Sequence, residues 1–217
     1  LGHHRDVPLE PFSAFEPYAG ATRPDQLIGH LLVSTPRLSD PNFARRVVLV
    51  LDHGAHGALG VVLDRPGGVP VGELLPRWHD LATAPAEVFT GGPVARNALI
   101  GLARLRPGRR TDDDDPPLPA GWRLLVDDER PVGTVDLAVD PTPVARTFVG
   151  ARLFSGYAGW DSGQLEEEID EGSWYVVRAE ARDPISADPE GLWRRVLKRQ
   201  GGALAVVSGF PPEPSVN

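Results

Sequence analysis

Glycine and proline punctuate this chain so closely that no apolar run exceeds five residues, as in Val47–Leu51. Proline inside a helix removes a donor and clashes with the preceding turn, and glycine loses more backbone entropy than any other residue. A long helical bundle or coiled coil is therefore excluded, and short strands joined by many turns are expected. The 24 glycines and 23 prolines among 217 residues stay below the roughly 25–30% that marks low-complexity disorder. An apolar share of 41% supports a folded core, and the length fits one domain or two small ones. No five-residue run can span a bilayer.

Residues 1–25, with Pro8, Pro11, Pro17 and Pro24, read as an N-terminal arm. The opening Leu1-Gly2-His3-His4 reads as a trimmed or tag-derived end and is excluded from functional reasoning. One domain is expected over 26–210, followed by a tail over 211–217. Leu27–Ser34 is a first apolar stretch. Arg46–Asp52 and Ala58–Asp64 are continuous β-branched runs, so they predict buried strands joined as a hairpin by the five-residue loop 53–57. Val71–Leu81 has helical spacing with Pro76 inside it, which must start, kink or end the helix. Val88–Thr90, Ala98–Leu105, Trp122–Val126, Gly133–Val139, Arg152–Tyr157 and Trp174–Ala179 read as further strands.

Residues 106–121 (RPGRRTDDDDPPLPAG) read as an exposed acidic loop insert. Pro141–Val149 suggests a short helix. Gln164–Asp170 predicts a helix with Leu165 and Ile169 inward, capped by Asp161 or Ser162. Asp188–Gln200 predicts another, with Leu192, Trp193, Val196 and Leu197 inward and Asp188-Pro189 as cap and first residue. Strands outnumber helices and hairpin signals recur. The expected fold class is α+β with a largely antiparallel sheet.

The absence of cysteine excludes disulfides, thiolate catalysis, zinc fingers and iron–sulfur clusters. Lys198 is the sole lysine and no G-x-x-x-x-G-K surrounds it, so a P-loop is excluded. No dinucleotide-binding glycine fingerprint, G-x-S-x-G elbow or His-Glu-x-x-His occurs. The paired histidines His53 and His56 beside Asp52 make a poor metal signal, and Asp112–Asp115 read as a solvated loop in place of a cation site. No metal and no cofactor are expected. With a net charge of −8, direct binding to duplex DNA is disfavoured, since phosphates need a basic face. Without a secretory pattern at the opening, a cytoplasmic location is the expectation.

Three places could carry chemistry or contacts. Asp52, His53 and Asp64 could form a base and its orienter in a hydrolase. Gly91-Gly92-Pro93 could offer bare N–H groups to an anion, or simply turn tightly. The stretch Phe154–Trp160 followed by Gly163–Ile169 could set Tyr157 and Trp160 beside a helix start as a ligand wall, or bury Trp160 where strand turns into helix. The terminal helix also carries Arg194, Arg195, Lys198 and Arg199. These complement its C-terminal dipole, or make a small nucleic-acid contact.

Leu31–Pro36, Asp40-Pro41-Asn42-Phe43, Asp52-His53, Gly57–Pro66, Gly91–Val94 and Gly156–Ile169 together resemble the YqgE/AlgH family, from about residue 27 to about 200. The resemblance implies coiled, bifurcated antiparallel sheets flanked by a few helices, in a bacterial cytoplasmic protein. Some members are named as transcriptional regulators of alginate synthesis, and no agreed catalytic residues carry over. The family pattern usually has Asn before Arg-Pro; here it is Asp64, so no role needing an amide transfers. Two readings follow. One is a non-enzymatic binding or regulatory protein acting through an unidentified protein or small-molecule contact, with His53, Asp64, Arg65, Gly91, Gly92, Tyr157, Trp160 and Gln164 as candidate contacts. The other is a hydrolase using Asp52, His53 and Asp64, with weak nucleic-acid binding by the terminal helix as a further possibility.

Overall fold

The computed structural model describes residues 27–107 and 118–211. The runs that read as a hairpin become β2 (Val47–Gly54) and β3 (Gly57–Val62). Their connection is shorter than the expected five residues: Gly54 pairs with Gly57, leaving only Ala55 and His56 at the turn. Gly57 has φ +115°, and a Cβ there would run into the Trp160 carbonyl, so glycine satisfies both the turn and a close backbone approach. On the other side of β2 lies β1 (His30–Ser34), which in turn pairs with β10 (Trp174–Arg178).

The apolar continuity of β2 has a direct cause, burial on both faces. Val47, Leu49 and Leu51 enter one core cluster with Leu192, Trp193, Val196 and Leu197 of α3 (Leu192–Gln200) and Leu204 and Val207 of α4 (Gly202–Val207). Val48 and Val50 face the opposite cluster, with Trp160, Trp174 and Leu165 of α2 (Gln164–Asp170). The alternation splits one unbroken run between two cores.

The long strand β9 (Phe148–Trp160) organises the rest. One edge pairs with β6 (Val94–Leu105), which continues to β8 (Val132–Val135) and β7 (Arg123–Val126). The other edge is shared: residues 158–160 pair with β3, and residues 153–155 pair in parallel with β5 (Glu87–Thr90), which carries β4 (Pro66–Pro70). The sheet forks at this point. Every other strand pair is antiparallel. The fold is α+β with a coiled, forked, largely antiparallel sheet and a few short helices, as expected.

Several local expectations are corrected. The strand that was expected to end at Tyr157 runs on through Gly159 to Trp160, because β3 supplies partners there. Residues 66–70, given no element in the sequence reading, form β4, and the strand after Gly133 stops at Val135. The helix over 71–81 is broken by Pro76 into α1 (Val71–Leu74) and a 3-10 turn, Pro76–Leu81. A 3-10 turn, Thr142–Thr147, replaces the helix read at 141–149. The cap of α2 is Gly163 at φ +80°, not Asp161 or Ser162. Helix α3 begins at Leu192, and Asp188 closes the preceding turn by accepting from the Gly191 N–H at 3.2 Å. The N-terminal arm and Asp112–Asp115 lie outside the described residues.

Candidate functional site

The sequence-predicted residues separate into two groups at opposite ends of the β2–β3 hairpin. At its turn, a one-residue register shift between Val50 and Asp52 inserts Leu51 as a bulge. A bulge re-aims the side chains beyond it. His53 would otherwise share the face of Leu49 and Leu51; the extra residue turns it towards α2. Its ring is buried, with Nε2 3.3 Å from Glu166 Oε1 at an angle short of a hydrogen bond. Asp52 points away and meets Arg123 at 3.5 Å. His53 is thus not on an exposed polar turn, as the loop reading implied.

Trp160 is buried rather than walling a cleft. Its indole N–H donates to Glu168 Oε2 at 3.0 Å, and Trp174 donates to the same oxygen at 2.7 Å. Phe43 lies against both rings, with centroids 6.3 and 5.7 Å away. Gln164 donates to Glu168 Oε1 and accepts from the Asp161 N–H, both at 3.0 Å. Tyr157 is half-buried against the α3-side core. Gly91 lies in the fork of the sheet: its N–H donates to the Ser155 carbonyl and its carbonyl accepts from Val62, both at 2.8 Å. A Cβ at Gly92 would collide with the Tyr157 backbone. These glycines allow two strands to approach, and the Gly91 N–H is already committed.

Asp64 lies at the far end of β3. Its register position is five or more residues from His53 along the hairpin, which is roughly 17 Å at strand rise. Asp52, His53 and Asp64 therefore do not converge as a catalytic set. The Asp64 carboxyl is buried and accepts from the Val47 N–H at 3.3 Å. Burial pushes its pKa up from 3.8 to about 7, against the opposing effects of Arg46, backbone N–H donors and Arg65.

Beside this end opens a groove of about 260 Å³ lined by Ala44, Arg45, Arg46, Glu190, Trp193 and Arg194. Arg45 occupies the left-handed region at φ +56°, and its guanidinium stacks 4.2 Å above the Trp193 ring. Its two terminal nitrogens donate to the carbonyls of Pro211 and Phe210 at 2.9 and 2.8 Å. Arg46 donates from Nη1 to the Asp64 carbonyl at 3.3 Å, and its buried Nε has no hydrogen-bond partner. Trp193 is fixed by donating to the Ser34 carbonyl at 2.9 Å. Arg45 and Arg46 are adjacent in sequence, but no spacing signal links them to Arg194. Sequence reasoning missed this groove.

Arg195 and Arg199 of α3 are engaged. Arg195 pairs with Asp188, while Arg199 reaches both oxygens of buried Asp183 at 2.6 and 2.7 Å. A second groove, of about 420 Å³, lies beside that pair and is lined by acids and arginines including Asp127, Asp128, Arg178 and Glu180. Among the described residues, no three His, Asp or Glu side chains are placed to hold a metal ion.

A forked, largely antiparallel sheet with α2 on one face and α3–α4 on the other makes this an α+β protein. The DUF179, AlgH-like family model matches residues 31–205, and the chain belongs to this family, the one its motifs resemble. A UPF0301 protein of Streptomyces coelicolor is 48% identical over 199 residues, covering 92% of this chain and 100% of the relative. One from Thermobifida fusca is 48% identical over 197 residues, covering 88% of this chain and 96% of the relative. Among solved structures, the crystal structure of a Corynebacterium diphtheriae protein, DIP2367, superposes with a TM-score of 0.77 at 29% identity, covering 87% of this chain and 95% of that one. The solution structure of AlgH from Pseudomonas aeruginosa gives 0.58 at 26% identity, covering 88% and 97%. Among the described residues, no helix is long and apolar enough to cross a membrane.

Proposed function

We propose that this is a non-enzymatic cytoplasmic binding protein that regulates through contact with a small molecule or a protein partner, with transcription the process its family resemblance suggests. The observation that supports this most is the arginine groove. Arg45, Arg46 and Arg194 converge on one concavity, and none of them forms an ion pair among the described residues. A concavity with three arginines and one carboxylate, Glu190, carries excess positive charge and is suited to recognition of something outside the chain.

The hydrolase reading is weakened because Asp64 stands far along the hairpin from His53. Direct DNA contact through α3 is weakened because Arg195 and Arg199 are held by Asp188 and Asp183. A thermal-shift screen of small metabolites, with each hit then analysed chemically, tests the proposal. A native-state ligand raises Tm by linkage, and the expected result is a saturable shift with the ligand recovered unchanged. Recovery of a cleaved ligand would make the protein an enzyme. A salt-dependent complex with duplex DNA, and no small-molecule shift, would overturn the reading in the other direction.

A further inference from the structure

We propose that the groove between Arg45, Arg46 and Arg194 binds a small phosphate monoester; this rests on the binding-protein reading and assigns its ligand class. The chain carries a net charge of −8, so carboxylates are abundant. Elsewhere arginines find them: Arg195 with Asp188, Arg199 with Asp183 and Glu180, Arg123 with Asp52, Arg77 with Asp140. Among the described residues the three at the groove form no ion pair, although Glu190 stands in the wall and Arg46 acts electrostatically on buried Asp64. Burial and the neighbouring Arg194 both pull the Arg45 pKa down. Two like charges gathered at one groove define a place where an anion gains from both.

The donors are also held in position. Arg45 is clamped between the Trp193 ring and two carbonyls. A guanidinium has five N–H donors, so those two bonds leave three. Arg46 retains an unpartnered Nε, and Arg194 is exposed at the rim. Guanidinium forks match the oxygens of phosphate and carboxylate alike. Three guanidiniums outnumber Glu190 in the wall and Asp64 beside Arg46, and a dianion gains more than a monoanion from the excess positive charge.

The groove's size selects further. Its volume of about 260 Å³ falls just below the roughly 300–1,000 Å³ of sites for drug-sized ligands. It suits a phosphoryl head with a short body better than a nucleotide or a polymer. Glu190, the one carboxylate in the wall, disfavours a body that is itself acidic and can accept from a hydroxyl.

Calorimetric titration at pH 8 and constant ionic strength provides the test, using inorganic phosphate, glycerol 3-phosphate and acetate as probes. A monoester is dianionic there, its second pKa being about 6. Both phosphates are expected to saturate one site, the monoester more tightly, and acetate to give no saturable heat. Arg194→Glu is expected to weaken phosphate binding tenfold or more, and Arg46→Gln to weaken it as well. Lys198→Glu makes the same charge change one turn along α3, outside the groove, and is expected to leave affinity within twofold. Equal losses in Arg194→Glu and Lys198→Glu would reduce the effect to overall charge and overturn the site. Absence of saturable phosphate binding, or acetate binding as well as phosphate, would overturn the ligand class while leaving the binding reading intact. A glycerol phosphate that bound here and was hydrolysed would keep the groove and overturn that reading instead.

Discussion

Asp64→Asn is expected to stabilise the protein at pH 8 and to leave it nearly unchanged at pH 4. The Asp64 carboxyl is buried, and burial raises its pKa from 3.8 to about 7. Between these values the unfolded chain has released the proton that the folded chain still holds. Stability therefore falls as pH rises through this window and levels off above about pH 7. A shift of about three units corresponds to roughly 4 kcal/mol. An asparagine keeps the oxygen that accepts from Val47 and carries no charge to desolvate. It is also the residue usual at this point in the family pattern. Thermal melts of both proteins from pH 4 to 8 should show their Tm difference opening from near zero to about 10 °C. Other carboxylates cancel in the comparison, so a difference constant with pH would show that Asp64 is ionised throughout.

The second large effect is expected from Arg152, in the middle of β9 and almost fully buried. Its Nη2 donates to the carbonyls of Ala84, Ser186 and Thr83 at 2.9, 3.1 and 3.4 Å, tying two loops to the strand. The guanidinium stacks 4.1 Å over the Phe89 ring. Burial lowers its pKa to about 10, which still leaves it charged at neutral pH. Arg152→Ala removes the stacking, opens a void and strands those carbonyls; together these should cost about 4 kcal/mol. Tm is expected to fall by roughly 12 °C. Arg152→Met refills most of the volume without restoring the donors, so it should recover about half. A melt of Arg152→Ala within 2 °C of wild type would show that the buried charge costs as much as its contacts return.

These two residues also mark the limit of what could be read from the sequence. The strands around Val47–Leu51 and Gly57–Val62 were legible because a β-branched run bounded by glycines has few other conformations. Helix α2 was legible over its whole length, from the spacing of Leu165 and Ile169. Nothing local announces the bulge at Leu51, which decides the side on which His53 lies. The strand read over Arg152–Tyr157 runs on through Gly159, because Leu59 of β3, distant in sequence, pairs with Gly159 and Val94 of β6 with Tyr157. Arg152 read as a strand's first residue, and nothing in the sequence singled out Arg45. Their roles depend on what distant segments bring to them, and no periodicity encodes that. The aromatic stretch was recognised as dense, yet whether Trp160 faces inward depended on Glu168 and Trp174 receiving it.

The shared edge of β9 has a consequence for how the chain comes apart. Phe148, Ala151 and Leu153 sit in the core beneath the 3-10 turn at Pro76–Leu81, Phe154 in the core under α3, and Ala158 and Trp160 in the core under α2. One strand is thus common property of all three apolar clusters. Loss of β9 takes buried residues from every one of them, so this strand couples the clusters to one another.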